Sequence, residues 1–303
     1  MRYLPQTVPT VLEAARNTGG VEVVYVDNGS TDGSYEYLAS IEGCRVERRQ
    51  QASIAGLRNL GASQARGEYL SFLDADCAIG PRYFDEAIDV MRSSMAAATG
   101  YEVQMPSVLH WIPKTWHDLH AVGSDRDVQW INSANFFISR EIFERIGGFR
   151  EDLRTGEDTE IGQRLIRAGF RLRADRRVAA THFGNPQSIS DFYRRSVWHA
   201  LGMFGTVNRD GIDRPTAMML VHLLATIAGV LVLIGGPFGW LGRGLIVVLL
   251  QLLVPALTVA YRAWRGRRAM NIPRGVFLYW LYFWARLQAL VLVLRGNSDA
   301  YVK

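Results

Sequence analysis

The sequence predicts an α/β domain with a mostly parallel central sheet, followed by membrane-spanning helices. Three observations predict it. Helix-like and strand-like segments alternate over residues 2–73. The last strand of that series, residues 69–73, is apolar and runs straight into Asp74-Ala75-Asp76. The final third holds three apolar runs, 217–234, 245–261 and 276–294, each long enough to cross a bilayer.

Residues 2–16 read as a helix, with Leu4, Val8, Val11, Leu12 and Ala15 on one face and Gly19-Gly20 as its stop. Residues 21–26 are a β-branched run, hence a buried strand. It ends in Asp27-Asn28-Gly29-Ser30-Thr31-Asp32-Gly33-Ser34, whose short polar side chains suit the cap of a helix over 35–40. Residues 44–47 read as a strand and 54–66 as a helix closed by Gly67. In sheets built this way ligands sit beyond the carboxyl ends of the strands, so Asp27, Asp74 and Asp76 are expected to face one crevice.

Residues 81–95 read as a helix with Pro81 in its first turn. Residues 97–105 read as a strand. Residues 106–127 are irregular, aromatic and rich in histidine; they lack a clean metal-ligand spacing and read as a binding surface or an amphipathic segment. Residues 130–138 are apolar with Asn132 and Asn135 inserted, and 140–146 read as a short helix. Thr155 is placed as the N-cap of a helix running to Gly169, with Asp158 at its third position as in a capping box. A strand lies within 170–180, Thr181-His182-Phe183 follows it, and 187–205 read as a helix carrying Arg194, Arg195 and Trp198.

The 303 residues carry a formal charge of +5, with a pI near 9.3. Such a balance fits nucleic acid, an anionic surface or a membrane with basic flanks. No Lys/Arg-rich block stands out, so nucleic acid is not expected as a partner. Cys44 and Cys77 form neither a disulfide framework nor a metal-ligand spacing, which fits a reducing compartment. No secretory signal is visible in residues 1–20.

Asp74 and Asp76 are two apart, so an extended backbone puts both side chains on one face. Paired carboxylates at the end of an apolar strand are costly without a positive partner. A hard divalent cation, Mg2+ or Mn2+, would supply it and could be shared with a substrate's phosphates. Taken alone, the same residues also read as an Asp-rich turn.

Taken together, the segments resemble a family: the inverting glycosyltransferases of the family 2 type, with the GT-A fold. The matching pieces are residues 26–34, Gly56-Leu57-Arg58-Asn59-Leu60-Gly61, residues 65–70, and Leu73-Asp74-Ala75-Asp76. Gly147-Gly148-Phe149, Thr155-Gly156-Glu157-Asp158 and His182 follow in order. The resemblance implies a nucleotide-diphospho-sugar transferase domain, Rossmann-like, over residues 1–214, and a membrane region of two to three transmembrane helices over 215–303. It implies that Asp27 contacts the base or ribose of a nucleotide-sugar. Arg58 is implied near the diphosphate, and Asp74 toward the ribose and sugar. Asp76 is implied as ligand of the metal bridging the diphosphate, His182 as a further metal or diphosphate contact, and Asp158 as the general base. The chemistry is consistent with these roles. A departing diphosphate accumulates negative charge, and inversion needs a base on the opposite side of the sugar. Members of the family usually open with an apolar first strand. This chain starts in what resembles the helix after it, so the resemblance implies an N-terminally incomplete domain and a sheet lacking a central strand.

Arg262, Arg265, Arg267, Arg268 and Arg274 gather between the second and third apolar runs, which places that loop in the cytoplasm. Two crossings before it put the catalytic domain on the same side. The third run is expected to span, although Tyr279, Trp280, Tyr282, Phe283, Trp284 and Arg286 also suit an interfacial helix. The expected activity is therefore that of a multi-pass membrane glycosyltransferase, hexosyltransferase-like. Its donor would be a nucleotide-diphosphate sugar and its acceptor a glycan or lipid-linked acceptor of the cell envelope. The rival readings are a nucleotidyltransferase, for which the Gly-rich basic loop is missing, and a truncated membrane scaffold or binding subunit without catalysis.

Overall fold

The computed structural model describes residues 1–106, 110–120, 125–153, 155–210, 214–266 and 270–296. The chain packs as two compact units. The first comprises Met1–Ser107 and Val122–Asn185, the second Val108–Ala121 and Pro186–Lys303.

In the first unit, helix α1 (Leu4–Thr18) leads to strand β1 (Val23–Asp27), helix α2 (Ser34–Ala39) and strand β2 (Cys44–Arg48). β1 and β2 pair in parallel, joined by the α2 crossover that a parallel pair requires. Helix α3 (Ile54–Gln64) follows, capped by Ser53, whose hydroxyl accepts from Gly56 N at 3.1 Å. Strand β3 (Tyr69–Leu73) comes next, then the short strand β4 (Cys77–Ile79), helix α4 (Tyr83–Ser94) and strand β5 (Ala98–Gly100). After them come β6 (Arg126–Val128), β7 (Asn135–Ser139), α6 (Arg140–Arg145), α7 (Glu157–Arg167), β8 (Leu172–Ala174) and β9 (Ala180–His182).

The α/β class holds, but the pairing is mixed rather than mostly parallel. The five-stranded sheet runs β3-β7-β5-β8-β6, and only β5–β8 within it is parallel. Strand β7 lies between β3 and β5 and runs against both. β1–β2 and β4–β9 form separate two-stranded ladders.

Strand β3 sends alternate side chains into two cores, as its period of two dictates. Leu70 and Phe72 join Phe136, Ile138, Phe143 and Phe149 on one face. Tyr69 and Leu73 pack on the other, against a core built from Val11, Tyr83, Phe84, Val90 and Phe137. The register sets Phe72 opposite Phe136, with ring centroids 6.1 Å apart. This double burial fixes the height at which β3 releases Asp74. Asn135, inserted in the apolar stretch, is fully buried and structural: it accepts from Tyr83 Oη at 2.7 Å and donates to the carbonyls of Val178 and Tyr101.

The second unit contains α5 (Trp111–His120), α8 (Ile189–Asp210), α9 (Arg214–Gly235), α10 (Trp240–Gly266) and α11 (Ile272–Leu294). The last three are each long and apolar enough to cross a membrane. The segment read as irregular contains a regular helix, α5. Its Leu119 and Trp116 cluster with Val259, Tyr279 and Phe283. Its His120 is satisfied on both nitrogens, Nδ1 with Trp116 O at 2.8 Å and Nε2 with Tyr279 Oη at 3.1 Å.

Candidate active site

Three groups of polar side chains lie at the ends of strands and helices of the first unit. The first is centred on Arg58. It sits on α3, is largely buried, and points its guanidinium at two carboxylates. Nη2 donates to Asp74 Oδ1 at 2.6 Å and Nη1 to Glu157 Oε1 at 2.6 Å. The ring of Phe149 lies 5.9 Å from the guanidinium carbon. Ser133 Oγ also donates to Glu157 Oε1, at 3.0 Å. Thus the turn after β3, the helix α3 and the start of α7 are tied together by one cation.

Asp158 is the neighbour of Glu157 at the start of α7. The N-cap is Gly156, not Thr155, and Asp158 is the second helical residue rather than the third. Gly156 adopts φ of 81°, a left-handed conformation that favours glycine and turns the chain sharply into the helix. Asp158 Oδ1 accepts from Thr159 N at 2.7 Å. Burial raises the Asp158 pKa to about 6, the negative charge of Glu157 adds to the rise, and the Thr159 amide and Arg58 oppose it.

The second group is Asp76, Cys77 and His182. Antiparallel pairing of β4 with β9 sets Cys77 opposite His182 and brings Asp76 Oδ2 to 3.3 Å from His182 Nε2. Asp76 Oδ1 and His182 Nδ1 are buried without hydrogen-bond partners. One ligand atom from each of the three residues lies within 4.8 Å of the others. A Cβ at position 184 would collide with Asp76 Oδ2, so Gly184 leaves the carboxylate the space it occupies. An orphaned carboxylate oxygen beside an imidazole, in a slot held open by a glycine, fits a divalent cation. Burial, with the charges of Asp74 and Asp76, pushes the Cys77 thiol far up, so without a metal it is a neutral packing group.

The third group surrounds Asp27, 6% exposed at the end of β1. Its carboxylate accepts from Gly29 N at 3.0 Å, Ser30 N at 3.2 Å and Arg48 Nε at 2.8 Å. Burial opposes ionisation, but the bonds from Ser30 and Arg48 outweigh it, and the pKa falls below the ordinary carboxylate value. Asp27 therefore holds its loop and Arg48 in place.

Of the residues singled out in the sequence, Arg58, Asp74 and Asp158 meet in the first group, and Asp76 and His182 in the second. Asp27 has its own partners. Glu157 and Arg48 were missed. Glu157 looked like a helix-start acid, and its bond to Arg58 spans 99 positions, so no local pattern signals it.

Residues 2–147 match the model of the family "Glycosyl transferase family 2". Glycosyltransferase AglE of Haloferax volcanii is 27% identical over 180 residues, covering 54% of this chain and 57% of that protein. The pre-mycofactocin glycosyltransferase of Mycobacterium tuberculosis is 24% identical over 249 residues, covering 76% of this chain and 51% of its own length. The chain thus spans little more than half the length of these relatives. In three dimensions it is similar to the mannosyltransferase PcManGT of Pyrobaculum calidifontis, with a TM-score of 0.58 and 17% identity over 97% of this chain and 83% of that one. Over residues 2–147, just under half of the chain, the sequence matches the glycosyl transferase family 2 model, and the fold is similar to that of the mannosyltransferase; both agree with the order of the motifs along the strands and helices.

Proposed function

We propose that the protein transfers a sugar from a nucleotide-diphosphate donor to an acceptor hydroxyl with inversion, at the site built from Arg58, Asp74, Asp76, Asp158 and His182. The observation that carries this reading is the Arg58 bridge. It brings the Asp74 turn and the Glu157-Asp158 helix start, remote in sequence, into one hydrogen-bonded group. The similar mannosyltransferase was solved with GDP-Man and Mn2+, which supports a nucleotide-sugar donor and a divalent cation.

Asp158 is the base. With a pKa near 6 it is mostly ionised at neutral pH yet basic enough to take the acceptor's proton as the new glycosidic bond forms. Asp74 orients the donor through its free oxygen, while Arg58 holds that carboxylate and places positive charge beside it. Asp76 and His182 would hold Mg2+ or Mn2+, which when bound would offset the negative charge on the departing diphosphate. Asp27 and Arg48 hold the loop 27–34 against which the nucleotide base would rest. Apolar helices in the same chain favour an acceptor that is lipid-linked or part of the cell envelope, with catalysis on the cytoplasmic face.

The reading is tested with purified protein in detergent, a panel of nucleotide-sugars, and the variants Asp76→Ala and Asp158→Asn. Loss of transfer of at least a hundredfold in both folded variants is expected. Wild-type rates in either would remove that residue's role. Release of pyrophosphate in place of a nucleoside diphosphate would point to nucleotidyl transfer.

A further inference from the structure

Although α11 is long and apolar enough to cross a membrane, it packs unlike α9 and α10. In its most apolar stretch 39% is buried within the unit, against 17% for each of the other two. Its inner side carries Arg286, 1% exposed, which donates to Thr216 Oγ1 of α9 at 2.8 Å and to Tyr282 Oη at 3.0 Å.

The contacts of α11 with the α9–α10 hairpin lie at the hairpin's base. Thr216 meets Arg286, and His222 stacks on Phe283 with ring centroids 5.4 Å apart. On α10, Gln251 accepts from Trp280 Nε1 at 3.3 Å, and Val259 faces Gly275. Beyond Thr226 and Gln251, which bond to each other at 2.8 Å, the hairpin turns apolar side chains outward. Leu231 is 64% exposed, Ile234 76% and Leu241 93%. A third helix crossing in the same bundle would run beside this half and cover part of it.

Helix α8 supplies the second observation. It lies along α11 and runs in the same direction: Phe192 clusters with Leu278, and Val197, Ala200 and Leu201 with Ala285 and Ala289. If α11 crossed the bilayer, α8 would cross beside it. Yet α8 does not have the composition of a span and exposes Arg194 and Arg195. Exposed charges of this kind are costly to place in hydrocarbon.

We infer that α11 lies with α8 in the membrane–water interface, and that among the described residues the α9–α10 hairpin alone crosses the hydrocarbon. The partner is the lipid bilayer itself. Acyl chains cover the distal half of the hairpin. Headgroups meet the exposed side of α11, where Arg274 and Phe277 lie. At the hairpin's tip Arg243 lies 5.7 Å from the Trp240 ring, a pair suited to the opposite interface. The chain after α11 then ends on the side where residue 1 began.

The test places side-specific reporters before Met1, after Gly239 and after Lys303 of the full chain. The first and last are expected on one side of the membrane and the middle one on the other. A reporter after Lys303 on the side opposite to Met1 would overturn the inference, as would a reporter after Gly239 on the Met1 side. Two point variants check it without fusions. Val291→Lys on α11 should leave the membrane-inserted yield within twofold of wild type, whereas Leu231→Lys should lower it at least fivefold. Equal losses would contradict the assignment.

Discussion

Arg58 and Asp74 are bound at 2.6 Å across 16 positions of sequence, and the same guanidinium holds Glu157 at an equal distance. Two acids of one site are thus tied to a single cation. Asp74 retains an exposed edge, its side chain 38% accessible, while Glu157 is covered. The bridge is consequently both a clamp on the fold and a way of presenting one carboxylate oxygen to a ligand.

Removing that cation should cost stability before it costs chemistry. Arg58→Ala leaves Glu157 buried without a counter-charge, and we expect a loss of about 2–4 kcal/mol, below the full value for a buried pair because Asp74 is partly solvated. Arg58→Lys should recover only part of this, since an ammonium cannot reproduce two divergent N–H arms. Chemical denaturation of the two variants measures both.

Asp158 should show the opposite trade. Its pKa is raised above the ordinary carboxylate value, so its neutral form favours the folded state. That contribution is complete below about pH 4 and is lost as pH rises through about 6. At pH 7, Asp158→Asn should therefore be more stable than wild type by about 1–3 kcal/mol, while transfer falls. The wild-type rate should climb as pH rises through about 6. Melting curves over pH 4–8 and a pH–rate profile check the two halves separately.

Gly184 has no side chain to contribute, yet its position sets the geometry of Asp76. A methyl there must displace the carboxylate from His182. Gly184→Ala should fold and should weaken Mn2+ binding at least tenfold, measured by calorimetry or by quenching of intrinsic fluorescence. Unchanged affinity would separate Asp76 from the metal.

Asp27 is held below the ordinary carboxylate value, so the stability it contributes is present above about pH 4 and is lost as pH falls through its folded value. Asp27→Asn breaks the pair with Arg48 and removes this dependence. The stability difference between wild type and Asp27→Asn, measured by denaturation followed by circular dichroism, should be largest near neutral pH and shrink as pH falls below about 4.

Much of this was legible in the sequence where the signal is local. Strand 69–73 alternates between two cores and then releases Asp74, and that pattern needs no partner to be read. Apolar length alone marked α9, α10 and α11. What escaped depends on distant contacts. Helix α5 is buried by Val259 and Tyr279, far along the chain, so its own residues looked irregular. Strand direction was misjudged because β7 enters the sheet between β3 and β5 and runs against both, an arrangement set by contacts far along the chain. The α7 cap moved from Thr155 to Gly156 because a left-handed glycine competes with a hydroxyl cap and leaves no trace in the spacing.

The measurement that bears most directly on the proposed activity is release of nucleoside diphosphate from a panel of nucleotide-sugars by the detergent-solubilised protein, with and without Mn2+, beside Asp158→Asn. The account predicts metal-dependent release from at least one donor in the presence of membrane lipid extract as acceptor, and its loss in the variant. Equal release by wild type and Asp158→Asn, or release unchanged by chelation, would contradict it.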